Sequence, residues 1–168
     1  LGALANFARV VHIVILGWWM GAYAELVQLG RVAEAVLGSQ HETGAVLLAA
    51  LADLERFGIW GLPILLVTLW VGWSSFGRKR RGPAVGLGIL AVLTLGSRYV
   101  VRPRFREIRD GLGRPVEDLG LTDPALVDYL WWERTLAVVV SMQIGVALVL
   151  LVWAVVRNRP KTSLGIEL

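Results

Sequence analysis

Thr135-Leu136-Ala137-Val138-Val139-Val140-Ser141-Met142-Gln143-Ile144-Gly145-Val146-Ala147-Leu148-Val149-Leu150-Leu151-Val152-Trp153-Ala154-Val155-Val156 contains no charged side chain. A helix of about 20 apolar residues crosses a hydrocarbon core of about 30 Å. In lipid every backbone group must be satisfied within the segment, so this run predicts a membrane-spanning helix. Three more runs of similar length lie at about 7–29, 58–76 and 84–101. The expected fold is therefore all-α: an integral membrane bundle of four transmembrane helices in one domain over 1–168, with no soluble domain of its own.

Composition agrees. Apolar residues make up 56% of the 168 and the mean hydropathy is +0.63, above the roughly 45–50% apolar content of soluble domains. The chain has no cysteine, which excludes disulfides, thiolate metal sites and iron–sulfur clusters. The net charge of +4 reflects basic residues at span ends, where topology places them, so no nucleic-acid partner is expected. The first run is not read as a signal peptide: it carries Glu25, lacks a small-residue cleavage site and is long enough to span.

Between the first two runs, Val46, Leu47, Leu48, Leu51, Leu54 and Phe57 recur at helical spacing. They mark 44–57 either as an amphipathic helix or as an extension of the second span. Gly77-Arg78-Lys79-Arg80-Arg81-Gly82-Pro83 is a tight connection, which makes spans two and three an antiparallel hairpin. Residues 102–134 hold six arginines and seven carboxylates, and Thr122 or Asp123 is placed to cap a helix starting near Pro124. The unopposed charges at 78–81, with Arg157, Arg159 and Lys161, put both termini in the cytoplasm under the positive-inside rule. Trp60, Trp131 and Trp132 are expected at the outer interface, and Trp70, Trp73 and Trp153 at the inner one.

Gly17-Trp18-Trp19-Met20-Gly21 carries a GxxxG pattern. It serves either as a docking face for another helix, a subunit or a flat cofactor, or as packing inside the bundle. Ser141 and Gly145 offer a similar face on the fourth span, and Ser141 and Gln143 are expected to hydrogen-bond between helices. Three ionisable groups fall inside spans: His12, Glu25 and Arg98. Glu25 and Arg98 share a depth and are expected to pair, either as part of an ion step or as a structural ion pair. A bis-histidine haem needs two histidines at one depth. His12 and His41 are expected on opposite sides, so only single-ligand pigment or haem contact at His12 is left open. No three- or four-ligand metal site can be assembled.

His12, Gly17, Trp18, Gly21, the run Tyr99-Val100-Val101-Arg102-Pro103-Arg104, and Arg134 together resemble a bacterial family of four-span membrane proteins of unknown function. That family is more distantly similar to copper-resistance-type membrane proteins. The likeness covers about 7–156 and implies the four-span fold. Where the family carries a His-Arg pair this chain has Glu133-Arg134, which removes a candidate metal ligand.

The expected role is a non-catalytic accessory subunit of an energy-transducing complex, respiratory or photosynthetic, touching membrane lipids and other transmembrane subunits with no intrinsic cofactor. The alternatives are a small transporter using Glu25 and Arg98, and a pigment or haem carrier using His12.

Overall fold

The structure, a computed structural model, describes residues 2–73, 81–120 and 122–157. Four helical rods form an all-α bundle, each long and apolar enough to cross a membrane. Helix α1 is Gly2–Leu37, α2 is Gln40–Gly72 and α3 is Arg81–Gly96. A π-turn over Ser97–Val101 joins α3 to α4, Arg102–Gly111. After a 3-10 turn at Val116–Asp118, α5 runs from Pro124 to Arg157. The connection at Arg78–Arg80 and the tail bearing Arg159 and Lys161 lie outside the described residues.

The segment before the second span is not a separate helix. Helix α2 is continuous for 33 residues, about 50 Å at 1.5 Å per residue. Its buried residues, among them Gly44, Leu48, Leu51, Glu55, Gly58, Leu62, Leu65 and Leu69, step by three and four, as one helix face must. Gly38, at φ 63°, supplies the left-handed residue that closes α1. Ser39 then caps α2 by accepting from Glu42 N–H at 3.3 Å. At the other end of the chain Asp123, one of the two expected caps, accepts from Ala125 N–H at 2.9 Å.

The bundle has two cores. The membrane core gathers Leu16, Trp19, Leu51, Leu65, Leu87, Leu90 and Leu150 from all four spans. Lipid tails are as apolar as leucine, so close packing rather than the hydrophobic effect holds this part together. Glycines provide the fit. The Trp19 indole lies across α2, where a Cβ on Gly58 or Gly61 would stand 3.2 or 3.3 Å from the ring. At Gly86 a Cβ would come within 2.8 Å of Leu150. Arg9 crosses Gly72 and donates from Nε to its carbonyl at 2.6 Å.

The helices also run past their apolar segments, and there Leu48, Phe105, Val116, Leu119, Leu126 and Tyr129 form a second core. The chain thus builds a small helical cap that the span pattern alone does not show. Phe105 stacks on Tyr129 at 5.1 Å, tying α4 to the start of α5. Glu117 accepts from the backbone N–H groups of Gln40 and His41 and closes the cap over the start of α2. Its carboxyl is held below the usual range by its own backbone N–H and by those of His41 and Gln40.

Candidate functional site

The most enclosed charge among the described residues is Glu55, with no exposed surface. Spaced four residues after Leu51 and three before Gly58, it lies on the core face of α2. Ser97 Oγ donates to its Oε1. Arg102 pairs with its Oε2, Nε to oxygen 3.2 Å. Arg98 adds a second positive charge nearby, and Tyr23 on α1 lies within the field of the carboxylate.

The π-turn makes this arrangement possible. Five residues advance an α-helix by about 500°, leaving the first and last roughly 140° apart. The π pattern, in which Arg102 N–H bonds the Ser97 carbonyl, closes a turn on five residues instead. Ser97 and Arg102 therefore reach one carboxylate from one helix face. π-turns recur at functional sites, and an ionisable group inside a span is a functional candidate.

A second polar group lies deeper. His12, wholly buried, bonds Thr68 through Nδ1 at 2.8 Å and meets the Trp73 ring edge-on at 5.2 Å. Thr68 directs its own hydroxyl to the Ile64 carbonyl at 2.8 Å. That assigns the proton of the His12–Thr68 bond to Nδ1 and leaves Nε2 a bare acceptor, buried without a partner. Thirteen residues of α2 separate Glu55 from Thr68, about 20 Å. Between them Leu16, Leu65, Leu87 and Leu90, each at most 1% exposed, form an apolar layer. His41 lies in the first turn of α2, 27 residues or about 40 Å from Thr68 along the helix, so the two histidines cannot share a ligand.

Several expected site residues are placed differently. Glu25 and Arg98 do not pair. Glu25 is exposed beside Trp18 and Phe57 in an outward groove, whereas Arg98 packs over the Tyr99 ring at 5.6 Å. Residues 18, 22, 25 and 29 form the outer face of α1, while His12, Leu16, Trp19 and Tyr23 form the inner one. Trp73 is not an interfacial anchor: it is fully buried and stacks on the part-buried Trp153 at 5.2 Å. Trp60, Trp70 and Trp131 do face outward, and Trp131 meets Trp132 edge-on at 4.8 Å. Ser141 bonds the Ala137 carbonyl of its own helix at 2.8 Å rather than a neighbour. Gln143 is fully buried with neither amide atom partnered.

The GxxxG motif divides in two. Trp19 belongs to the core. Gly17 and Gly21 have no atom within 4 Å of where a Cβ would stand, and neither does Gly145 on α5. Trp18 beside them is 45% exposed and stacks on Phe57 with ring centroids 3.7 Å apart. Among the described residues no three His, Asp or Glu side chains converge as a metal site. No family model matches the chain, and no curated protein or solved structure does either.

Proposed function

We propose that this chain is a non-catalytic accessory subunit of a larger energy-transducing membrane complex, docking through the outer face of α1. The observation that supports this is the division among its glycines. Gly58, Gly61, Gly72 and Gly86 are filled by neighbours within the chain, while Gly17 and Gly21 present an open GxxxG face beside an exposed tryptophan. Small residues at that spacing let a second helix approach closely. Ser141 and Gly145, both exposed on α5, offer a second such face. The proposed location is a bacterial inner membrane with both termini cytoplasmic.

The leucine layer between Glu55 and His12 counts against a solute path through the bundle. The unpartnered Nε2 of His12 favours one further reading, a single-histidine contact to a pigment or haem, and the same experiment tests it. Mild-detergent extraction from the native membrane, with mass spectrometry and a visible spectrum on one fraction, should return the chain in fixed ratio with larger subunits. The pair Gly17→Leu and Gly21→Leu should abolish that ratio while leaving the chain folded. A monodisperse, colourless free protein would sink both readings.

A further inference from the structure

Three arginines rise from the membrane boundary on one face of α4: Arg102, Arg106 and Arg109, spaced by four and three residues. Opposite them on α2, Ala45, Ala49 and Ala52 repeat the same spacing, and the two rows wall a pocket of about 310 Å³. The alanines leave room where longer side chains would reach the guanidinium groups.

The charges are not balanced from within. Arg102 spends its Nε on Glu55 at 3.2 Å, and Arg106 its Nε on Asp110 at 3.5 Å. Arg109 spends Nε and Nη2 on the other Asp110 oxygen, Oδ1, at 3.1 and 2.7 Å. Three cations thus share two carboxylates, an excess of one positive charge. Neither terminal nitrogen of Arg102 or Arg106 donates a hydrogen bond to the protein among the described residues. Arg109, only 13% exposed, holds Nη1 enclosed with no hydrogen-bond partner among the described residues. A buried guanidinium nitrogen without an acceptor costs free energy unless a ligand supplies one.

Depth indicates where that ligand comes from. Arg102 shares the level of Glu55, five residues or about 7 Å above Trp60 on α2. Phe105, one residue before Arg106, stacks on Tyr129, two residues from Trp131. Exposed Trp60 thus lies below Arg102, and exposed Trp131 falls between the levels of Arg102 and Arg106. The foot of the arginine row therefore stands in the interfacial layer where tryptophan collects, and Arg106 and Arg109 lie on its headgroup side, toward the lipid phosphates. The geometry points to a binding site for a phosphate group on this arginine face, of the kind an anionic phospholipid headgroup carries. Planar guanidinium groups donate paired hydrogen bonds to phosphate oxygens.

The test is native mass spectrometry of the purified full-length chain, titrated in separate arms with phosphatidylglycerol, phosphatidylcholine and inorganic phosphate. One phosphatidylglycerol is expected to bind with clear preference over phosphatidylcholine. The double variant Arg106→Gln, Arg109→Gln should weaken it roughly tenfold, the scale of a lost charge-assisted contact. Ala49→Leu, which fills the pocket and keeps every charge, should weaken it likewise. Competition by inorganic phosphate would support the site with a soluble phosphate as its source; no competition would assign it to the lipid. Equal binding of both lipids would overturn the proposal by showing no selection of an anionic headgroup, and undiminished phosphatidylglycerol binding to a folded Ala49→Leu chain would overturn it by leaving only surface charge. Circular dichroism of each variant reports folding. If the double variant does not fold, Arg106→Gln alone, at a side chain 72% exposed, takes its place.

Discussion

Glu55 is held by two groups on one neighbouring rod, and removing any member strands the others away from water. Breaking a buried pair by deleting one partner typically costs about 3–5 kcal/mol, whereas replacing both with apolar side chains is often neutral or stabilising. Glu55→Ala should therefore lower unfolding stability in detergent by about that amount, and Glu55→Leu combined with Arg102→Met should recover most of the loss. Thermal or denaturant unfolding of the three chains checks it, and an additive double variant would refute the coupling. Glu117, at the water-facing end, gives a pH dependence of known sign. Its carboxyl is depressed in the folded chain, so its contribution is present above the ordinary glutamate value of about 4.3. It is lost as pH falls through the lower folded value. Exchange of the Gln40 and His41 amides should accelerate in that acid range, and Glu117→Gln should remove the dependence.

At the scale of elements, glycine content alone does not tell which helix faces are filled. Gly58 lies under the Trp19 ring, where a Cβ would stand only 3.2 Å from it, and Gly17 faces open space. Gly58→Val should cost about 1–3 kcal/mol through overpacking, while Gly17→Ala should leave the isolated chain unchanged. Trp19→Ala should cost about 3–5 kcal/mol by opening a cavity at that crossing. Unfolding midpoints of the three variants give the comparison. The spans themselves were legible because bilayer thickness fixes run length, and the 135–156 run admits no other reading. The pairing of Glu25 with Arg98 failed for a reason visible in the spacing. Glu25 follows Trp18 on the outer face of α1, so a common depth with Arg98 does not bring the two to a common face. Glu55 was legible too, as a carboxylate stepping in register with Leu48, Leu51, Gly58 and Leu62. Its neighbours Asp53 and Arg56 are exposed, so charge content around 53–56 does not single it out. The π-turn was not legible, since no residue type over 97–101 demands one extra position per turn.

For the whole molecule, packing is divided between two solvents. The lower core is held by fit in lipid, and the cap by burial from water around Phe105 and Tyr129. Phe105→Ala should loosen the cap and expose α2 from Gln40 to about Leu48, leaving the membrane core protected. Hydrogen exchange in lipid nanodiscs would show protection lost in the cap alone; uniform loss through the spans would mean one cooperative unit. The open face of α1 belongs to this scale as well, since only a second molecule can fill it.

The π-turn also sets the phase between the two halves of the third rod. Below it, α3 is clocked to its neighbours by Gly86 against Leu150; above it, the arginine row is clocked to α2 by Glu55. Winding Ser97–Val101 as ordinary α-helix with no residue removed would leave Arg102 about 140° from Ser97. The upper half would swing by about 100°, carrying Arg102 off Glu55 and the arginine row off the alanine wall while the membrane half kept its seat. That single surplus residue works as a shaft coupling, converting the register of the spans into the bearing of a charged surface at the membrane boundary.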